Sequence, residues 1–309
     1  MLRLRAPLGG QATLSPGRED GPQAPRTLDV LAADGVRLAL LEFEPKVRRA
    51  DPVLLTHGTF SNGNVVTRLA AYLASNGFPS WVLELRGHGA SDGRTRRATF
   101  EDFGRLDVPA AVEAVRLRAQ TDRLFLVGHS GGGLAFWMYL ARHPEVAAHI
   151  QGVVTLASQA TGAGLGWRGR ARIGLIAAAN NLGRQAHQRL LRLGPESEFP
   201  GVINQWFGWN WRRRWRGRDG IDYLAALRSV TTPALCFAGA GDRYIAPVEG
   251  CRRLFDALGS TDKSLVICGR EHGFVEDYDH ARIVASRGAR QEIWPRILEW
   301  LQERTTPSV

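Results

Sequence analysis

The chain has 309 residues and a formal net charge of +10, with 44% hydrophobic and 23% charged residues. These proportions are those of a globular protein, so they exclude a largely disordered chain, and the length suits one α/β domain with an insertion. No stretch approaches the run of about 18 apolar residues that a membrane span needs, and three scattered cysteines exclude a disulfide framework or a zinc site.

Residues 1–25 are rich in glycine, proline and polar side chains, and they contain no apolar run long enough for a signal peptide. We therefore predict a flexible N-terminal tail and a cytoplasmic protein. Neither a metal nor a cofactor is expected, because the sequence has no motif for either. The runs 26–33 and 36–43, separated by Asp34-Gly35, predict a hairpin.

After the hairpin, short apolar runs alternate with longer amphipathic ones. The predicted strands are 53–56, 81–85, 124–127, 153–156, 234–238 and 264–268, and the predicted helices are 65–76, 102–120, 131–143, 248–258 and 289–301. This alternation predicts an α/β protein with a mostly parallel central sheet and helices on both faces. The alternation stops between the predicted strands 153–156 and 234–238, which are strands 6 and 7 when the two strands of the hairpin are counted first. We therefore assign residues 26–158 and 231–309 to the core and residues 159–230 to an insertion.

The stretch LFLVGHSGGG, residues 124–133, places a G-x-S-x-G pattern between an apolar strand and an apolar helix. A serine on so tight a turn brings neighbouring backbones together, so the flanking positions must lack side chains. The bare pattern is common by chance in a chain with 35 glycines, and a purely structural turn is the alternative. Its place between strand and helix favours Ser130 as a catalytic nucleophile.

A nucleophilic serine needs a base, and the base needs an acid that orients it. In this kind of sheet the order along the chain is serine, acid, histidine. Asp242, in GAGDRYIAP, follows a strand at the edge where ligand-binding loops lie, although a turn-forming aspartate is the alternative. His272 and His280 both follow the last strand, and the composition does not choose between them as the base.

Acyl transfer also needs backbone N–H groups that stabilise an oxyanion. The expected donors are Gly131, directly after the serine, and Thr59, in the loop HGTF that follows the third strand. His57, His88 and His129 are disfavoured as the base. His57 precedes the serine and is expected to brace its loop.

Four motifs resemble, in order and spacing, those of the α/β-hydrolase superfamily of serine hydrolases: THGTFSNG, ELRGHGASDG, LVGHSGGG and GAGDRYIAP. The resemblance covers residues 28–303 apart from the insertion, and it is nearest to the esterase, lysophospholipase and acid-lipase-like branches. It implies the α/β-hydrolase fold with a helical cap between strands 6 and 7. It also implies Ser130 as nucleophile, Asp242 as acid, and Thr59 and Gly131 as oxyanion donors.

The resemblance also favours His280 as the base. Monoglyceride-lipase-like enzymes place this histidine as His272 stands here, whereas acid-lipase-like and polyester-synthase-like relatives place it in a run similar to Tyr278-Asp279-His280. The segment YDHARIVASRGARQEIWPRILEWL resembles the second group. A serine nucleophile argues against epoxide hydrolases, haloalkane dehalogenases, polyester synthases and dienelactone hydrolases.

The insertion is expected to select the substrate. Its aromatic residues either line an apolar pocket over the serine or form the small core of the cap itself. They are Trp167, Trp206, Phe207, Trp209 and Trp211. The candidate substrate contacts are Phe60, His129, Trp206 and Phe207. On this hypothesis the substrate is a small-molecule ester with a medium-length apolar or aromatic acyl part.

The insertion is also basic. Residues 159–232 contain twelve arginines and four acidic residues, and so carry +8 of the net +10. In WFGWNWRRRWRGRDG, residues 206–220, the apolar positions predict a helix wedged against the core, and an exposed basic turn starts at Arg212. No nucleic-acid-binding fold surrounds this run, so no nucleic-acid partner is expected. Weak association of residues 206–218 with an anionic membrane surface stays open, as does a genome-wide bias towards arginine.

Three functions compete. The leading hypothesis is hydrolysis of carboxylic esters, and acyl transfer or amide cleavage with the same triad is its rival among enzymes. A non-catalytic basic binding protein on a hydrolase scaffold is the third, and it is disfavoured because every triad position has a candidate. A fluorophosphonate label on the serine separates the enzymes from the binding protein.

Overall fold

The structure, a computed structural model, describes residues 25–93, 97–164, 166, 169, 171, 174, 175 and 194–305. The predicted tail up to residue 24 and part of the predicted cap, including Trp167, lie outside the described residues, and the proposed domain boundaries stay predictions. Within the described ranges, no helix is long and apolar enough to cross a bilayer.

The strands form one sheet. They are β1 (Arg26–Leu31), β2 (Arg37–Phe43), β3 (Val53–Thr56), β4 (Ser80–Leu83), β5 (Leu124–His129), β6 (Ile150–Leu156), β7 (Ala234–Gly239) and β8 (Lys263–Cys268). Their order is β1-β2-β4-β3-β5-β6-β7-β8. The pairs β1–β2 and β2–β4 are antiparallel, and every other pair in the sheet is parallel. The predicted hairpin and the predicted mostly parallel sheet are confirmed.

Helices cover both faces of the sheet. They are α1 (Asn64–Ser75), α2 (Phe100–Asp102), α3 (Val108–Ala119), α4 (Gly131–Arg142), α5 (Pro200–Arg212), α6 (Tyr223–Ala226), α7 (Val248–Ala257), α8 (Arg282–Ala285), α9 (Arg287–Glu292) and α10 (Trp294–Arg304). Successive strand residues point to opposite faces. Leu54 and Leu126 therefore join the core with α3 and α4, whereas Leu55 and Val127 join the core with α1 and α10.

Two predicted helices are present but not regular throughout, and a proline lies at each irregularity. The predicted helix 102–120 is divided into α2, a π-helical turn (Phe103–Asp107) and α3, which has Pro109 in its first turn. The predicted helix 289–301 is divided into α9 and α10, and Pro295 lies in the first turn of α10. Proline fits the first turn of a helix, but inside a helix it lacks an N–H and clashes with the preceding turn.

A helical insertion lies between β6 and β7, as predicted, and we call residues 159–230 the cap. Its helix α5 ends at Arg212, one residue into the basic run, because Arg213 has a left-handed backbone (φ 53°). The Arg213 guanidinium donates hydrogen bonds to the carbonyl oxygens of Thr161, Ala163 and Gly164. This arginine therefore ends the helix and fastens it to the start of the cap.

Glu101 fastens the cap to the core. One carboxylate oxygen accepts hydrogen bonds from Arg142 Nη2 on α4 and from the Tyr223 hydroxyl, both at 2.7 Å. The other oxygen accepts from Gln205 Nε2 on α5 at 2.6 Å and from the Arg218 backbone N–H at 2.9 Å. Glu101 is only 1% exposed. One buried charge thus joins α2, α4 and three parts of the cap.

Candidate active site

Ser130 lies on the turn between β5 and α4 in a strained backbone conformation, with φ 54° and ψ −119°. Glycine at the neighbouring positions is a steric requirement of this turn. A Cβ at Gly128 would lie 2.4 Å from the backbone nitrogen of Gly133, and a Cβ at Gly132 would lie 2.5 Å from the carbonyl oxygen of His57. The G-x-S-x-G pattern is therefore what allows the serine to stand clear of the sheet edge.

The structure brings Ser130, His280 and Asp242 together in one hydrogen-bonded line. His280 Nε2 lies 2.8 Å from Ser130 Oγ, and His280 Nδ1 lies 2.5 Å from Asp242 Oδ2. Because the carboxylate accepts the proton on Nδ1, Nε2 is the lone-pair nitrogen that faces the serine. This is the arrangement in which an imidazole can remove the proton of a serine hydroxyl.

Asp242 is held in its ionised form. Burial alone would raise the pKa of its carboxyl, but the hydrogen bond and the charge of His280 lower it by more, so the pKa lies below its usual value. The carboxylate also accepts the Ile245 backbone N–H at 3.1 Å. A buried, ionised acid of this kind fixes the orientation and the tautomer of the histidine.

Close packing between the backbone after β7 and the backbone before His280 places this histidine beside Asp242. The Gly241 N–H donates to the Tyr278 carbonyl oxygen at 2.9 Å, and a Cβ on Gly239 would lie 2.3 Å from the same oxygen. His272, the alternative, lies in a short 3-10 turn and is exposed, and it does not line the cavity beside the serine. His280, and not His272, is therefore the histidine that lies between Ser130 and Asp242.

Thr59 and Gly131, the predicted oxyanion donors, line the same cavity as Ser130. They are in close contact, because a Cβ on Gly131 would lie 3.3 Å from the Thr59 backbone nitrogen. His57 Nδ1 donates to the Gly58 carbonyl oxygen at 2.8 Å. In a trans peptide the C=O and N–H point in opposite directions, so this bond directs the Thr59 N–H away from His57.

Burial keeps His57 and His129 neutral, since it lowers the pKa of each imidazole to about 3. His57 Nε2 accepts the Leu85 backbone N–H at 3.2 Å, so this ring braces two loops. His129 Nε2 donates to the carbonyl oxygen of His280 at 2.8 Å. His129 thus supports the backbone of His280 and is not among the residues that line the cavity. Its predicted contact with substrate has no counterpart in this structure.

A cavity of about 480 Å³ opens beside the serine. Its apolar wall includes Phe100, Leu134, Val202, Ile203, Trp206 and Phe207. Four of these are neighbours on one face of α5, at the spacing of successive helical turns. Phe60, one of the predicted substrate contacts, also lines the cavity.

The other two tryptophans of α5 point elsewhere. Trp209 packs against Phe100 and Trp215, with ring centroids 5.3 and 6.1 Å away, and belongs to the core. Trp211 is 57% exposed. The aromatic residues of α5 therefore divide: Trp206 and Phe207 line the cavity, Trp209 packs in the main core, and Trp211 lies at the surface.

Glu198 is a buried polar residue beside the site that no sequence motif indicates, and its neighbour His88 is known from the sequence only as a disfavoured base. Glu198 is fully buried, and its Oε2 lies 3.2 Å from the Phe60 backbone nitrogen and 3.3 Å from His88 Nε2. Burial lowers the pKa of His88, but the Glu198 carboxylate raises it by more, so the pKa lies above its usual value. No local pattern links Glu198 to Phe60, because the two are 138 residues apart.

Comparison with known proteins finds similarity to lipases over part of the chain. The family model for the alpha/beta hydrolase fold matches residues 51–172. Triacylglycerol lipase 1 of Arabidopsis thaliana is 28% identical over 141 residues, 40% of this chain and 35% of the lipase. Lipase member K of Mus musculus is 27% identical over 124 residues, 35% of this chain and 31% of that protein. The matches thus span about a third of these curated relatives.

Solved structures match over most of the chain. A thermophilic esterase from Thermogutta terrifontis superimposes with a TM-score of 0.63 and 17% identity, over 91% of this chain and 100% of the esterase. An esterase from Exiguobacterium antarcticum has a TM-score of 0.65 and 15% identity, over 89% of this chain and 98% of that one. At these identities the likeness establishes the fold.

Proposed function

We propose that this chain, which belongs to the α/β-hydrolase superfamily, is a serine hydrolase that cleaves carboxylic esters through an acyl-enzyme on Ser130. The observation that carries the proposal is the line of hydrogen bonds from Ser130 Oγ through His280 to Asp242, at the wall of an apolar cavity. The similarity to esterases and lipases supports it.

In the first half of the reaction, Ser130 Oγ attacks the ester carbonyl while His280 Nε2 takes its proton. The carbonyl oxygen becomes an oxyanion that accepts hydrogen bonds from the N–H groups of Thr59 and Gly131. The carbon–oxygen bond to the alcohol then breaks, and the imidazolium returns its proton to the leaving alkoxide. Asp242 stabilises the imidazolium that exists between these two transfers.

In the second half, His280 takes a proton from water, and the hydroxide attacks the acyl carbonyl on Ser130. A second oxyanion forms in the same position, the bond to Oγ breaks, and His280 gives its proton to the serine oxygen. The products are the acid and the free enzyme. Transfer to an alcohol or cleavage of an amide would use the same groups with a different acceptor or leaving group.

The lining of the cavity supports a medium-length apolar or aromatic acyl group as the preferred substrate part. Trp206 and Phe207 present rings in contact with each other, 5.4 Å apart, on its cap side. We expect the kcat/KM for p-nitrophenyl esters to rise from acetate to a medium chain length, because each buried CH₂ is worth about 0.8 kcal/mol of transfer free energy. A maximum at acetate would contradict this acyl preference.

The exposed Trp211 beside the arginines of residues 206–218 supports weak association with an anionic membrane surface. We expect sedimentation with phosphatidylserine-containing vesicles at low salt that decreases at high salt and with Trp211→Ser. Equal binding to neutral and anionic vesicles would contradict the contribution of charge.

The nucleophile is tested by labelling with a fluorophosphonate, which reacts with an activated serine. We expect one adduct, located on Ser130 by peptide mass spectrometry, and none in Ser130→Ala. His272→Ala is the matched control and should react at the wild-type rate. Equally poor labelling of wild type and Ser130→Ala would remove the basis of the proposal.

A further inference from the structure

We propose that Glu198 is a positioning residue for the oxyanion site, so that the cap contributes to transition-state stabilisation as well as to substrate binding. This inference rests on the proposed function. The relevant segment is the loop between β3 and α1, residues 57–63, which we call the β3 loop. It carries Thr59, one of the two proposed oxyanion donors.

The backbone of Phe60, directly after Thr59, has a conformation that needs support. Its φ of 58° lies in the left-handed region, which a bulky side chain rarely adopts. Such a residue persists only when its surroundings hold it there. In this structure they do so through its two backbone polar groups.

Both groups are bound by one short segment of the cap. The Phe60 N–H donates to Glu198 Oε2 at 3.2 Å, and the Phe60 carbonyl oxygen accepts the Glu196 backbone N–H at 3.1 Å. Asn62 Nδ2 donates to Glu196 Oε1 at 2.9 Å, which adds a third bond between the same segments. The cap segment 196–198 therefore clamps the β3 loop through three hydrogen bonds.

Glu198 is itself fixed on two sides. Its Oε1 accepts the Phe199 backbone N–H at 2.9 Å, and its Oε2 lies 3.3 Å from Nε2 of His88, which is fully buried. His88 Nδ1 lies 3.0 Å from the Arg86 carbonyl oxygen and donates to it. The carboxylate is thus held between a core loop and the start of α5, and it cannot turn away from Phe60 without leaving His88.

The clamp acts on the peptide next to the oxyanion donor. Glu198 sets the plane of the Thr59–Phe60 peptide, and His57 sets the plane of the Gly58–Thr59 peptide through the Gly58 carbonyl. The Thr59 N–H is therefore oriented from both sides. Loss of the Glu198 bond releases one side, which weakens an interaction made with the oxyanion but not with the ground-state ester.

The test compares wild type with Glu198→Ala and Glu198→Asp. The aspartate keeps the charge but is one methylene shorter, so its carboxylate lies farther from the Phe60 N–H. If the alanine variant does not fold, the comparison is made with the aspartate variant. Gln205→Leu is the matched control, because it removes a part-buried link between the cap and Glu101 that does not touch the β3 loop. Far-UV circular dichroism and the Tm establish folding.

Two inhibitors separate positioning from a general structural role. A trifluoromethyl ketone analogue of the best ester adds the serine and forms an oxyanion, whereas the corresponding secondary alcohol binds without reacting. We expect kcat/KM to fall roughly 10²-fold in Glu198→Ala and roughly 10-fold in Glu198→Asp, by comparison with the loss of one oxyanion donor. KM and the Ki of the alcohol should change less than about 3-fold, and the Ki of the ketone should rise in proportion to the loss of kcat/KM.

Equal changes in the Ki of the ketone and of the alcohol, or a wild-type kcat in a folded Glu198 variant, would overturn the inference. A similar selective loss of ketone affinity in Gln205→Leu would also overturn it, because the effect would then belong to the cap in general. If the wild type neither hydrolyses any ester nor is labelled at Ser130, the proposed function is wrong, and this inference is wrong with it. If the wild type hydrolyses esters and the Glu198 variants have the same kcat/KM, only this inference is wrong.

Discussion

Glu101→Gln should weaken the attachment of the cap to the core with little change of shape. The carboxylate accepts four hydrogen bonds, two at each oxygen. A glutamine presents an NH₂ group at one of these positions, where it faces two donors, so at least two hydrogen bonds are lost. The substitution also leaves Arg142 without its buried counter-charge, although Arg142 keeps a 2.7 Å contact with Asp219.

The size of the effect follows from these contacts. Removing one partner of a buried ion pair costs about 3–5 kcal/mol, and the remaining contact of Arg142 with the half-exposed Asp219 places this case at the lower end. We therefore expect the free energy of unfolding to fall by about 3 kcal/mol. Because Gln205 lies on the helix that also lines the cavity, KM for long-chain esters should rise as well.

Urea unfolding followed by tryptophan fluorescence measures this loss, and Glu113→Gln is the control. Glu113 pairs with Arg116 at 3.3 Å on the surface, with 59% of its side chain exposed, so its loss should cost less than about 0.5 kcal/mol. If Glu101→Gln is as stable as this control, the buried carboxylate does not anchor the cap, and the reasoning is refuted.

Three further predictions concern the triad, the elbow and the pH dependence of stability. Asp242→Asn should lower kcat roughly 10⁴-fold with little change in KM, because the histidine loses its orienting acceptor; a loss below 10-fold would exclude the acid role. Gly128→Ala should destabilise the fold by about 3 kcal/mol or more, since its Cβ would meet backbone at 2.4 Å, and an unchanged urea midpoint would contradict this contact. The raised pKa of His88 predicts that its pairing with Glu198 stabilises the fold fully below a pH of about 6.5 and less as pH rises through the folded-state pKa. The stability difference between wild type and His88→Gln, measured by urea unfolding from pH 6 to 9, should therefore shrink with pH, and growth of that difference would show the opposite sign.

Much of the fold was predictable because it depends on local patterns. Strand β3 is apolar at three of its four positions and buried at all four, as parallel strands in the middle of a sheet are. The elbow was predictable because steric exclusion restricts Gly128 and Gly132 to one residue type. The end of α5 was predicted to within one residue, because the apolar stripe stops where the arginines begin.

The choice between His272 and His280 needed the tertiary structure. Both histidines follow β8, and their separation along the chain carries no information about which one returns to the sheet edge. The decisive contacts are made by Gly239 and Gly241 with the backbone near Tyr278, which place the next turn beside Asp242. Resemblance to acid-lipase-like sequences favoured the histidine that the structure brings to the serine.

Long-range polar pairs were beyond prediction for the same reason. Glu101 and Glu198 are ordinary acidic residues in the sequence, and their long-range partners lie 41 to 138 residues away. The sequence groups Trp209 and Trp211 with Trp206 and Phe207, either as pocket lining or as a core of the cap, yet rotation along the helix directs the first two to the main core and to the surface. The hydrophobicity of the helix predicts that these rings are buried, but only the tertiary packing decides which of them line the cavity.

The most direct test of the central claim is the kcat/KM of His280→Ala relative to that of His272→Ala on the ester that wild type cleaves best. We predict a loss of roughly 10⁴-fold or more for His280→Ala, because the base within 2.8 Å of the serine is gone. We predict a change of less than about 3-fold for His272→Ala, whose side chain is exposed and lies outside the lining of the cavity. The reverse order, or near wild-type activity in both variants, would contradict the assignment of Ser130, His280 and Asp242 as the catalytic triad.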